Sequence, residues 1–154
     1  MSNKITQFIG EYRWLSNHYE VSIEYWGETF KSVEHIYQYM KATDPAERLA
    51  IKEAATPAIA QELGIICQLR PDWEKVKYEV MYYAVLAKFL QHKDLAEKLI
   101  ATKNYIIQEE DTPDGSHWKI LNEEGYNHFG NLIMKIRNVV DALYIPIFIK
   151  GEDD

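Results

Sequence analysis

Glu34, Gln38 and Lys41 recur at i, i+4 and i+7 within Ser32-Val33-Glu34-His35-Ile36-Tyr37-Gln38-Tyr39-Met40-Lys41. On a helix those offsets stack the three side chains in one column two turns long. A carboxylate, an amide and an amine in that order can bind a polar ligand and exchange protons with it. The same spacing also suits a solvated face, where exposed charges contribute little. The residues of this stretch taken alone leave both readings open.

The elements that must position the column follow from caps and periodicity. Ser32 is a good N-cap, and Val33, Ile36, Tyr37 and Met40 form the apolar side of its helix. Upstream, Ile5 to Gly10 reads as strand, Glu11 to Tyr19 as an aromatic-rich turn segment, and Val21 to Tyr25 as a half-buried strand. Trp26-Gly27-Glu28 reads as a turn from which Thr29-Phe30-Lys31 pairs back as a short hairpin. Downstream, Asp44 caps a helix with Pro45 at N1, Glu47 completes a capping-box pattern, and the helix runs to about Ala55. Thr56-Pro57 starts another helix that ends near Gly64. Pro71 opens the longest helix, which ends near His92; Trp73, Val76, Val80, Tyr83, Ala84 and Ala87 are spaced as its buried stripe. Asp94 to Ala101 continues as helix, and Asn104 to Gln108 as strand. Glu109 to Gly125 is a polar loop of a length that is usually functional. A last helix spans about Asn127 to Leu143, with Phe129, Leu132, Ile133, Ile136 and Val140 on its core side. The sum is a helix-rich α+β chain without a βαβ rhythm: one compact domain over residues 1–154, its core at about 8–143, with a small N-terminal β element, a long central helix and a frayed tail at 150–154.

Composition narrows the function classes. The 154 residues suffice for a real core, and a hydrophobic share of 47% is that of a globular chain. Eleven tyrosines and four tryptophans supply flat surfaces that fill cores or stack on planar ligands. Cys67 is the one cysteine, so no internal disulfide or zinc spacing exists, and a reducing compartment is expected. With no apolar leader and no apolar run of membrane-spanning length, the reading is a cytoplasmic protein with no membrane partner. A net charge of −7 lacks the basic surplus that long nucleic acid requires, which leaves a small anion or a single nucleotide as partner. No phosphate loop, dinucleotide fingerprint or metal-ligand spacing is present, and no cofactor is implied. Gly125-Tyr126-Asn127-His128-Phe129-Gly130 sets glycines at a helix start, where backbone amides could face an anion or simply cap a closely packed helix.

Six blocks occur in order: Gly10-x-Tyr12-x-Trp14-Leu15-Ser16-Asn17, Ser32-Val33-Glu34-His35-x-Tyr37-Gln38-x-x-Lys41, Asp72-Trp73-x-x-Val76-Lys77, Lys88-Phe89, Trp118, and Gly125-x-Asn127-x-x-Gly130-x-x-x-Met134-x-x-Arg137. Together they resemble the NADAR family of YbiA-like N-glycosidases, over about Phe8 to Arg137. The resemblance implies hydrolysis of an N-glycosidic bond between a ribosyl carbon and a base. The implied substrates are aminopyrimidine ribosyl phosphates of riboflavin synthesis or ADP-ribosylated guanine, free or within nucleic acid. Position by position it implies Glu34, Trp73 and a loop acid as catalytic, the loop acid falling at Asp114, one position off the family spacing to Trp118. Glu110 is a second loop carboxylate.

The expected site therefore has Glu34, Lys41, Asp114 and Trp73 as catalytic residues. Trp14, Ser16, Asn17, His35, Gln38, Lys88, Glu110, Trp118, Asn127, Gly130 and Arg137 are the expected substrate contacts. Glu34 would stabilise an oxocarbenium-like ribosyl centre or activate water, and a loop acid would protonate the departing nitrogen. Lys41 and Arg137 would hold phosphate, or Lys41 would attack the anomeric carbon and form an imine. The blander readings are a core tryptophan at Trp73, a carbonyl-capping Arg137 and a snorkelling Lys88. A module that binds ADP-ribose without turnover is the alternative to a hydrolase.

Overall fold

The computed structural model describes residues 3–109 and 127–144. The elements in order are β1 (Lys4–Ile5), a 3-10 helix (Gly10–Leu15), β2 (Ile23–Tyr25), β3 (Glu28–Phe30), α1 (Val33–Lys41), α2 (Pro45–Lys52), α3 (Pro57–Ile66), α4 (Trp73–Gln91), α5 (Lys93–Ala101), β4 (Ile106–Ile107) and α6 (His128–Tyr144). They fall into two units. One is Asn17–Gln91, and the other joins the described residues before Asn17 to those after Gln91.

In the first unit α1 packs on α2, α3, α4 and β3. Three helices start on the caps that the sequence offers. Ser32, Asp44 and Thr56 each accept from the amide three residues on, in His35, Glu47 and Ile59. The Glu47 carboxylate does not close a capping box; it accepts instead from the Gln68 amide at 3.0 Å. Helix α3 continues to Ile66, two residues past the expected stop at Gly64, because that glycine is a packing position inside the helix and not a C-terminal turn. The α4 stripe is rotated from its expected line. Trp73, Val80, Met81, Ala84, Val85, Lys88 and Phe89 are buried, whereas Tyr83 is 55% exposed. Val76 and Tyr83 line an open groove of about 660 Å³ with Tyr25, Trp26, Leu86 and Leu90, whose lining does not include Glu34, Lys41 or Trp73. The apolar surface of α4 is thus wider than its buried face.

Strands β2 and β3 pair antiparallel, Tyr25 opposite Glu28. The two residues between them, Trp26 and Gly27, both have positive φ, at 52° and 79°. That suits a two-residue hairpin, but a bulky side chain rarely adopts it. The side-chain amide of Gln91, at the end of α4, completes the free edge of β2: it donates to Glu24 O at 2.7 Å and accepts from Glu24 N at 2.8 Å.

In the second unit β1 pairs parallel with β4 over two residues, Lys4 with Ile106 and Ile5 with Ile107. The expected strand to Gly10 is cut to this pair because β4 offers no longer partner, and Gly10 turns the chain at φ 58° into the 3-10 helix. Helix α6 packs on α5 and β4, burying Phe129, Ile133, Ile136 and Val140, with the rings of Phe8 and Phe129 5.9 Å apart. Among the described residues no helix is long and apolar enough to cross a membrane.

Replacing Trp26 by Asn, which tolerates the left-handed turn, relieves a cost of about 1 kcal/mol. Trp26→Asn is therefore expected to raise the melting temperature by a few degrees in a calorimetric scan. A lower melting temperature would show that the indole contributes more than the turn strain costs.

Candidate active site

Helix α1 carries the site's chemistry, and its polar column is not solvated. Glu34 is 6% exposed and Gln38 is 4% exposed, while Lys41 is half-buried at the helix end. Glu34 is held through both its side chain and its backbone. Gln38 Nε2 donates to Glu34 Oε1 at 2.7 Å, and the Glu34 amide donates to Asn17 O at 3.1 Å. His18 Nε2 stands 3.8 Å from the other carboxylate oxygen, an ionic contact when the imidazole is protonated. Asn17 turns its side-chain nitrogen to Met81 Sδ at 3.4 Å, and its Oδ1 is buried with no hydrogen-bond partner.

Lys41 Nζ lies 5.8 Å from the centre of the Tyr37 ring. Tyr37 meets Trp73 edge to face, 4.9 Å between centres. Burial pushes the Lys41 amine below the ordinary lysine range, and nearby Cys67 and Glu34 oppose that shift.

Two expected substrate contacts are fully enclosed by the protein. His35 is fully buried, with Nε2 3.0 Å from Ala54 O and Nδ1 2.7 Å from the Ser32 hydroxyl. A carbonyl can only accept, so Nε2 carries the proton and Nδ1 accepts from Ser32. His35 is thus a neutral strut between α1 and the end of α2, and burial lowers its pKa accordingly. Lys88 is 1% exposed, its ammonium 5.5 Å from the Tyr19 ring centre and 5.2 Å from that of Phe89. It is not a snorkelling surface residue. Burial pushes its pKa from 10.5 down to about 7.

The remaining expected contacts belong to the second unit. Trp14 is buried and donates its indole N–H to Glu11 O at 2.8 Å; Ser16 caps the 3-10 helix. The block Asn127-x-x-Gly130-x-x-x-Met134-x-x-Arg137 converges on β4 and the chain just before it. Asn127 Nδ2 donates to Ile107 O at 2.7 Å, and Ile107 N donates to Met134 Sδ at 3.5 Å. A Cβ on Gly130 would stand 2.0 Å from Ile107 O. Arg137 Nη1 donates to Thr102 Oγ1 at 3.0 Å and Tyr105 O at 2.9 Å. Burial lowers its pKa, and its Nε is buried without a partner. Asp114, Glu110 and Trp118, with the loop that carries them, lie outside the described residues.

The structure therefore gathers Asn17, Glu34 and Gln38 with His18, and Lys41 and Trp73 with Tyr37, in two contact sets that share helix α1; His18 and Tyr37 are not among the residues the sequence singles out for the site. His18 sits in an irregular segment with no periodic signal. Tyr37 falls on the apolar side of α1, where it was counted as core. Among the described residues no cluster of three or more His, Cys, Asp or Glu could hold a metal ion.

The NADAR domain family model matches residues 6–141. The chain is 39% identical over 125 residues to an N-glycosidase of Nostoc punctiforme, covering 77% of each. It is 35% identical over 118 residues to the N-glycosidase YbiA of Escherichia coli strain K12, covering 72% of this chain and 71% of that one. A riboflavin biosynthesis protein of Vibrio vulnificus is 33% identical over 125 residues, which is 80% of this chain and 34% of that longer protein. The NMR structure of E. coli YbiA matches with a TM-score of 0.82 at 30% identity, covering 94% of this chain and 89% of that one. The helix-rich α+β fold is that of YbiA.

The buried Lys88 sets a pH dependence. Below about pH 7 the amine is charged in both folded and unfolded chains, so the folded form bears the full desolvation cost. Between about 7 and 10.5 only the folded form sheds its proton, and stability rises with pH. Lys88→Met should thus raise the melting temperature more at about pH 6 than at about pH 9.5. An equal gain at both pH values would mean that Lys88 has an ordinary pKa.

Proposed function

This chain belongs to the NADAR family and is an N-glycosidase, and we propose that its substrate is a phosphoribosylated or ADP-ribosylated base cleaved between the anomeric carbon and the base nitrogen. The observation that carries the mechanism is the buried Glu34 carboxylate, with one oxygen fixed by Gln38 and the other facing His18. As the C–N bond breaks, its electron pair leaves with the nitrogen, and positive charge spreads over the anomeric carbon and ring oxygen. A fixed carboxylate stabilises that charge without having to reorganise. It then takes a proton from the attacking water while the new C–O bond forms. A proton delivered to the departing nitrogen completes the balance, and Asp114 or Glu110 is the proposed donor. Trp73 and Tyr37 offer aromatic surface to the cationic sugar or the base.

A second route is favoured by the lowered pKa of Lys41. The neutral amine would attack the anomeric carbon, the base would leave, and the opened ribose would remain as an imine until water hydrolyses it. This route gains rate as pH rises through the lowered pKa of Lys41, where the amine becomes neutral.

The riboflavin biosynthesis name of the Vibrio protein supports an aminopyrimidine ribosyl phosphate as substrate. The net charge of −7 supports a free nucleotide over long nucleic acid, with ADP-ribosyl-guanine as the second candidate. The proposed setting is the cytoplasm, in keeping with the single cysteine.

Incubation with each substrate, followed by chromatography of the free base, tests the reading. Wild type should release base from at least one of them, and Glu34→Gln should slow release by roughly a hundred-fold or more. Tight binding with no release from either would instead make the chain a nucleotide-binding module. Borohydride added during turnover separates the two routes. A ribose adduct on Lys41, absent in Lys41→Met, identifies the imine; no adduct in wild type leaves the water route.

A further inference from the structure

The carboxamide of Gln38 has its two ends in different surroundings. Nε2 meets Glu34, but Oε1 is buried and has no hydrogen-bond partner. That oxygen lies where a side chain on Gly64 would be: a Cβ there would stand 1.8 Å from Gln38 Oε1 and 2.6 Å from Gln38 Cδ. Gly64 lies inside α3 and is not among the residues of positive φ, so no turn requires a glycine here. Glycine weakens a helix interior, and an unpaired buried carbonyl oxygen is unfavourable as well. Packing explains neither, since leucine or methionine would fill the Gln38 position without a buried polar atom.

Both are explained if Glu34 is what they hold. We propose that Gln38 and Gly64 are positioning residues for Glu34: the bare Cα of Gly64 lets α3 close over the Gln38 carboxamide and lock its N–H onto one carboxylate oxygen. The amide cannot usefully turn over, because its carbonyl would then face the carboxylate. Gln38 therefore acts through Glu34 and is not itself a substrate contact, and its donated hydrogen bond favours the ionised form of the carboxylate. Among the described residues, His18 at 3.8 Å and Lys41 on the same helix also act on Glu34. Both are left in place by the substitutions below. The inference rests on Glu34 being the carboxylate that acts on the ribosyl centre.

The test is an NMR titration of the Glu34 side-chain carboxyl carbon, with thermal melts, in wild type, Gln38→Leu, Gly64→Ala and the double variant Gly64→Ala/Gln38→Ala. Losing the hydrogen bond should raise the Glu34 titration by about one pH unit in both single variants. Gln38→Leu should melt at or above wild type. In turnover, the acid limb of kcat/KM should move up by the same amount, and kcat/KM should fall about ten-fold. If Gly64→Ala does not fold, the double variant removes the clash, and it should fold with the same raised titration. An unchanged Glu34 titration in Gln38→Leu overturns the proposal. An unchanged one in the double variant, which lacks the carboxamide, overturns it too, whereas an unchanged one in Gly64→Ala, or a double variant that fails to fold, removes Gly64 from it. The titration needs no substrate, so a failure of base release would sink the glycosidase mechanism without deciding the positioning role.

Discussion

Helix α1 has almost no solvent on its first two turns. Val33 through Gln38 are all buried, polar and apolar alike, because α2, α3, α4 and β3 pack around them. Burial removes water as a partner, so each polar group there must find one in the protein or bear a desolvation cost. Ser32, His35 and Ala54 O form one chain of hydrogen bonds that ties the start of α1 to the end of α2. The Glu34 amide reaches back to Asn17 O and fixes the segment before β2. The order of these neighbours is thus set by the polar side of α1 as much as by its apolar side. A helix with a wet polar face would place no such demand on them.

The same burial separates the two lysines. Lys41 ends α1, stays half-buried, and shares its column with Glu34, so a lowered amine pKa sits beside a carboxylate that can handle protons. Lys88 is wholly enclosed in α4 with aromatic faces near its ammonium. An amine held near neutrality is the kind of group found at functional sites, but the shift alone does not make one. Geometry distinguishes them. Lys41 has Glu34, Tyr37 and, through Tyr37, Trp73 around it, which is a set that can meet a sugar and a base.

Local chemistry was legible in the sequence where it acts over short range. Ser32, Asp44 and Thr56 each cap the helix they were expected to cap, since a cap needs only its own next three residues. What depended on a distant partner was not legible. The extent of β1 is set by Ile106 and Ile107, about a hundred positions on. Tyr83 fits the apolar period of α4 and still faces an open groove, because periodicity records polarity and not which neighbour arrives. Gly64 looked like a helix stop by residue type; only the position of Gln38 reveals a packing notch. The Glu34–Gln38–Lys41 column was visible as spacing, but its burial was not.

The C-terminal signature shows that residues expected to contact a ligand can also carry the fold. Asn127, Gly130 and Arg137 are expected substrate contacts, and Met134 belongs to the same sequence block. Within their unit, Asn127, Gly130 and Met134 meet Ile107, and Arg137 meets Thr102 and Tyr105. Two side chains, of Asn127 and Met134, thus bond Ile107 in the two-residue strand β4, Gly130 lets α6 approach it, and Arg137 holds the chain just before it. Polarity then sorts what is left. The unpaired buried atom of Asn127 is an oxygen, which would repel a phosphate, whereas that of Arg137 is an N–H donor, which could receive one. Of the anion contacts carried by this block, Arg137 alone keeps an unused side-chain group of the right sign, and its Nη1 is already committed to Thr102 and Tyr105. The pattern therefore specifies the fold through Ile107, Thr102 and Tyr105, whatever else its residues do.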